Sequence, residues 1–233
     1  MKPSLYVIPS NLAPNFSPDS FSTHHKDTTF SLKKFVVENT RSARRFLSQL
    51  GHPEPIHELE FRELNEHTND DDLQDLLSFI QEHDTGLLSE AGCPGIADPG
   101  ADLIAMAHEN GVRVVPMIGP SSIVLALMAS GLNGQCFSFN GYLNRDGETR
   151  KRQIRAFEKE SMNESRTQIF IETPYRNRVL FDAFCKVLNP STKLTIACEL
   201  SSKEEWIATK TISKWKNTKI NIHKKNTVFL FLA

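Results

Sequence analysis

Residues 89–100 read Ser-Glu-Ala-Gly-Cys-Pro-Gly-Ile-Ala-Asp-Pro-Gly, set between the apolar run Gly86-Leu87-Leu88 and an amphipathic segment that begins near Ala101. Three glycines, two prolines and two carboxylates directly after a short strand describe a rigid loop that lets a ligand approach its backbone closely. A second break, Gly119-Pro120-Ser121-Ser122, ends the β-branched run Val112, Val114, Val115 and opens a helix with hydroxyl residues where a cap belongs. Two strand-to-helix loops in succession predict an α/β fold with a ligand cleft.

Outward from these loops, strand and helix patterns alternate. Leu5 to Ile8 and Phe35 to Val37 read as short buried strands. Ala43, Phe46, Leu47 and Leu50 share one face of a helix that Gly51 stops, and Leu73, Leu76, Leu77 and Ile80 repeat the spacing behind Asn69 and Asp70. Leu59 and Phe61 alternate with charged residues as in a half-exposed strand. Past the loops, the spacing predicts a helix from Ser122 to Gly131, a strand over 136–139, a basic helix over about 150–160, a strand over 168–171 and a helix over 175–188. Strands follow at 194–198, 206–209 and 228–232. The alternation is that of a mostly parallel sheet covered on both faces. A domain junction falls in the polar stretch Asn144 to Thr149 or slightly earlier.

The 233 residues are long enough for a substantial core, and Lys+Arg 27 against Asp+Glu 28 excludes a generic polyanion binder. The charge is uneven. Twelve carboxylates between Glu54 and Glu90 face only Arg62, whereas Arg145, Arg150, Lys151, Arg152 and Arg155 cluster later, and seven lysines with two glutamates follow Ser201. Such runs are solvated faces or phosphate-facing patches. The cysteines at 93, 136, 185 and 198 form no Cys-x-x-Cys pair and lie near no histidine cluster, which argues against a metal site or a disulfide framework. No apolar segment reaches membrane-spanning length and no signal peptide is visible, so a cytoplasmic location is expected.

Neither phosphate-loop fingerprint follows the first strand, where Pro9-Ser10-Asn11-Leu12 stands instead, and the serine-hydrolase elbow is missing. The motifs present resemble the tetrapyrrole methylase superfamily of S-adenosylmethionine-dependent (class III) methyltransferases, closest to the branch that methylates cytidine 2'-oxygens of small-subunit ribosomal RNA. The resemblance rests on Ser89 to Pro94 with Asp98-Pro99-Gly100, on Val114-Val115-Pro116, and on Gly119 to Ser122 with Ala129 to Leu132. Leu5 to Pro9, Glu38-Asn39-Thr40-Arg41, Leu64 to His67, Phe139 to Leu143 and Phe170 to Arg176 extend it over nearly the whole chain. Three departures stand out: the first loop lacks the family's glycine, Glu90 replaces an aspartate, and the sequence stops at Ala233 where those enzymes continue into a small helical extension.

The resemblance implies two α/β lobes, 1–118 and 119–233, with mostly parallel or mixed sheets and S-adenosylmethionine in a cleft between them. It places the cofactor on Glu90, Ala91, Gly92 and Cys93, on Ser121, Ser122 and Ile123, and on Ile171, Glu172 and Thr173. Glu38 and His67 are candidate general bases, and Arg41, Arg150, Lys151, Arg152 and Arg176 candidate RNA contacts. Structural alternatives accompany these roles: Glu38 bonding backbone amides or Arg41, His67 as a turn residue, Arg176 pairing with Glu172, and Ser121 or Ser122 as a helix cap. The implied protein is a homodimeric methyltransferase of ribosomal RNA. A methyltransferase of a small-molecule or tetrapyrrole-like substrate, and a non-catalytic relative binding the cofactor or RNA, are the alternatives.

Overall fold

In the computed structural model, residues 3–233 are described, and the chain divides into two compact units, Met1–Ser121 and Ser122–Ala233. The first unit carries five strands: β1 (Ser4–Val7), β2 (Lys34–Val37), β3 (Glu60–Glu63), β4 (Thr85–Leu88) and β5 (Arg113–Pro116). They form one sheet in the order β3-β2-β4-β1-β5, with every pairing parallel. Parallel strands need crossovers, here through helices α1 (Thr23–Phe30), α2 (Thr40–Leu50), α3 (Asp70–Glu82) and α4 (Ala101–Glu109).

Alternation along β2 shows how the helices cover both faces. Phe35 and Val37 pack with Phe46, Leu47 and Leu50 of α2, while Val36 points the other way into Leu76 and Ile80 of α3 and Leu103 and Ala107 of α4. The helices start and stop on chemical signals. Asn39 Oδ1 accepts from the N–H groups of Arg41 and Ser42, and Gly51 closes α2 at φ +91°. Asn69 and Asp72 cap α3 reciprocally.

Helix α1 has no sequence-level counterpart among the expectations, because its buried face is polar. Ser22 caps it, and the inward residues are His25 and Thr29. His25 Nε2 lies 3.1 Å from the Pro9 carbonyl, and burial lowers the imidazole pKa, so the neutral ring donates there. That bond ties α1 to the loop leaving β1.

The second unit begins with α5 (Ser122–Ser130) and continues through β6 (Phe137–Phe139), α6 (Gly147–Glu164), β7 (Thr167–Ile171) and α7 (Asn177–Val187). It ends with β8 (Lys193–Cys198), β9 (Trp206–Thr211), the single turn α8 (Ile212–Trp215) and β10 (Thr227–Leu232). Its strand order is β6-β7-β10-β8-β9, and only β6 and β7 run parallel. This sheet is thus mixed, in line with the mostly parallel or mixed sheets that the resemblance implies, and its largely antiparallel pairing is not visible in the alternation. The basic helix is also longer than its charge run, because Asp146 caps it upstream and accepts from the Thr149 N–H.

Phenylalanines dominate the core of this unit: Phe170 stacks on Phe231 at 5.4 Å and Phe184 meets Phe229 and Phe231. Trp215, 1% exposed, donates its indole N–H to the Leu194 carbonyl at 2.7 Å.

Candidate functional site

The loops at the carboxyl ends of β1, β2, β4 and β5 gather at one edge of the parallel sheet, the edge at which open α/β sheets hold ligands. They are interlocked. The Ser10 N–H donates to the Gly92 carbonyl at 2.8 Å, and the Ser10 hydroxyl, almost fully buried, donates to the Ser89 carbonyl. Cys93 Sγ donates to the Pro120 carbonyl at 3.4 Å. Gly92 turns at φ +80° with Leu12 and Pro120 close by, so the strand-like Ser10 contact depends on a left-handed residue there.

Around this edge three carboxylates converge. Glu38 leaves β2 and its Oε2 accepts the Glu90 N–H at 3.1 Å, while Glu90 Oε1 accepts the Ser42 hydroxyl at 2.7 Å from the first turn of α2. Asp98 faces both. Burial, reinforced by the Glu38 charge and then that of Glu90, raises its pKa to about 6, with the Ser89 hydroxyl working in the opposite direction. Glu38 is also raised, first by burial and then by Glu90 and Glu66. Among the described residues, no lysine, arginine or histidine pairs with Glu38, Glu90 or Asp98. The cluster is negatively charged, partly desolvated and without an internal counter-ion.

A pH dependence of stability follows. An unfolded Asp98 gives up its proton near 3.8, whereas the folded one holds it to about 6, so stability is greatest below the lower value and declines as pH rises through the upper one. Asp98→Asn removes the decline: by thermal melting, the variant gains on the wild type between pH 4 and pH 7.5. An identical difference at both pH values would refute the coupling.

The other expected residues lie as follows. Burial pushes the Cys93 thiol up, which suits a backbone role better than thiol chemistry. Ser121 ends the first unit, whereas Ser122 and Ile123 open α5 in the second. Ile171 ends β7, and the adjacent Glu172, 7% exposed, accepts the Thr173 N–H at 2.8 Å and pairs with Arg176 at 3.3 Å. His67 is 85% exposed in a turn beside Glu66 and lines an acidic groove of about 570 Å³ with Asp72, Asp75 and Glu82. Arg150 folds back on the carbonyls of Asn144 and Arg145, Lys151 bonds Glu148, and Arg152 bonds Thr149. Arg41 is exposed at the start of α2. Asp98, Ser42 and Ser10 were not singled out as site residues from the sequence; Asp98 stood within the decisive loop, but its coupling to Glu38 spans 60 residues of chain.

Two solved structures share this fold: diphthine synthase, with a TM-score of 0.70 and 16% identity over 98% of this chain and 89% of that one, and the methyltransferase CobJ, at 0.66 and 14% over 99% and 94%. The fold is that of the tetrapyrrole methylase class of S-adenosylmethionine-dependent methyltransferases. No family model matches the chain. Over 206 residues it is 31% identical to the ribosomal RNA small subunit methyltransferase I of Vibrio cholerae, spanning 88% of this chain and 67% of that protein. The Bacillus subtilis protein of the same name is 29% identical over 219 residues, 91% of this chain and 70% of its own length. The chain belongs to the ribosomal RNA small subunit methyltransferase I family and is a methyltransferase.

Proposed function

We propose that this protein transfers a methyl group from S-adenosylmethionine to a ribose 2'-oxygen of small-subunit ribosomal RNA. The observation that carries the reading is the Glu38, Glu90 and Asp98 cluster, whose unbalanced negative charge fits a ligand bearing a sulfonium and an ammonium. S-adenosylmethionine supplies, when bound, an electrophilic methyl group on that sulfonium. Glu90 and Asp98 would hold its cationic side, the loop backbone of Ala91 to Cys93 its flat portion, and Ser121 a further polar group. The family resemblance assigns Ser122, Ile123, Ile171, Glu172 and Thr173 to the cofactor as well.

Methyl transfer to a hydroxyl needs alignment above all, and a base to take the departing proton. Glu38 suits that task better than His67, because its raised pKa brings a carboxylate closer to neutrality and the Glu90 N–H orients it. Arg41 stands exposed for phosphate contact, whereas Arg150, Lys151, Arg152 and Arg176 would have to exchange their present partners for one. A cytoplasmic location goes with a ribosomal substrate. Assembly as a homodimer comes from the family resemblance, and side chains such as Ile118, 86% exposed, and Met128, 75% exposed, are apolar surface that pairing could cover. No helix among the described residues is long and apolar enough to cross a membrane.

The decisive assay incubates the protein with S-adenosylmethionine labelled in its methyl group and with small ribosomal subunits from cells lacking it. Label is expected in the RNA fraction, in a product resistant to alkali at the modified nucleotide. Label in ribosomal protein alone, or in neither fraction while the cofactor binds, overturns the reading.

A further inference from the structure

The lysine-rich tail of the sequence is not absorbed by the site just described. From Trp206 to Ala233 there are six lysines and no aspartate or glutamate. In the second unit the antiparallel register sets Lys193 of β8 directly opposite Thr211 of β9, and β9 is the edge strand of its sheet. Lys193, Lys210 and Lys214 line one groove of about 460 Å³ at this edge, together with Thr209, Thr211 and Gly131. Among the described residues, none of the three lysines pairs with a carboxylate; the only ion pair in the tail is Lys225 with Glu204.

We propose that this groove is a docking surface for the phosphodiester backbone of RNA, a reading that rests on the RNA substrate assigned above. Three ammonium groups lining one groove form a cationic concavity suited to successive phosphates. One ammonium is already positioned: Lys210 Nζ donates to Thr218 Oγ1 at 3.3 Å and lies 4.9 Å from the centre of the Trp215 ring. No aromatic face lines the groove, and Trp215 is buried, so the surface lacks a platform for stacking bases and holds the strand without reading its sequence. Lysines on an edge strand also deter aggregation, a role that needs no groove and predicts no salt-dependent RNA contact.

The test measures binding of a labelled oligouridylate across a potassium chloride series for the wild type, for Lys193→Gln/Lys210→Gln/Lys214→Gln, and for Lys33→Gln/Lys159→Gln/Lys203→Gln. The last variant removes equal charge from residues that do not line the groove. Melting curves and cofactor titrations check that each protein is folded. The groove variant is expected to bind with a log–log salt slope shallower by about 2, from three lost contacts to a single strand, while the control keeps the wild-type slope. Equal slopes in all three proteins, equal losses in both variants, or no oligouridylate binding by the wild type would each overturn the groove. The ribosomal substrate stands or falls separately, on methyl incorporation into small subunits.

Discussion

Glu38→Gln is expected to lower methyl transfer by about 10²–10⁴-fold, the usual contribution of a positioned base, while cofactor affinity falls far less, because Glu90 and Asp98 still face its cationic side. The substitution keeps an oxygen where the Glu90 N–H donates, so the loop after β4 retains its anchor and only the proton acceptor is lost. Because burial and the Glu90 and Glu66 charges raise the Glu38 pKa, the wild-type rate under single-turnover conditions should climb with pH beyond the ordinary carboxylate range. In the variant that limb is absent. A variant with full activity, or one whose pH profile overlays the wild type, would remove Glu38 from proton transfer and leave it as the support of Glu90.

The second large effect concerns Gly119. A Cβ placed there falls 2.5 Å from Pro9 Cβ and 2.8 Å from Pro9 Cγ, and a proline ring cannot swing aside as a flexible chain end would. Pro9 is itself held by the His25 bond to its carbonyl. Gly119→Val therefore forces apart the loops after β1 and β5, at a cost of about 1–3 kcal/mol, which lowers the melting temperature by about 2–4 °C for each kcal/mol in a chain of this size. Pro120 receives the Cys93 thiol, so the disturbance reaches the loop after β4, and cofactor affinity is expected to fall about tenfold, equivalent to about 1.4 kcal/mol. A lowered melting temperature with unchanged affinity, measured by calorimetry, would separate these loops from cofactor binding.

Much of the first unit was legible because its helices bury apolar stripes at helical spacing: Ala43, Phe46, Leu47 and Leu50 in α2, Leu76, Leu77 and Ile80 in α3. Helix α1 escaped because His25 and Thr29 fill the inward positions and no apolar period exists to find. The antiparallel character of the second sheet escaped for a different reason. Strands β7, β8 and β10 are buried on both faces, and a continuous apolar run reads the same in either orientation.

The site divides along similar lines. Glu90 to Cys93 announce themselves through glycine and proline, whose backbone demands are local. The meeting of Glu38, Glu90 and Asp98, and the fastening of Ser10 to Gly92, are products of strand order, since β2 and β1 flank β4 only after the chain has crossed over. The tail lysines were visible as composition, yet Lys193 joins them only through its register with Thr211.

Strand β10, the last of the ten strands among the described residues, lies in the middle of its sheet between β7 and β8. Ribosomes deliver a chain from its amino end, so α6, β7, α7 and β8 emerge with a gap where their shared neighbour belongs, and that half of the protein completes its assembly only after residues 227–232 have been made. Until then the flanks of the vacancy expose unpaired amides and carbonyls, which makes the interval between the synthesis of β8 and that of β10 the moment at which this sheet is most exposed to mispairing and to chaperones.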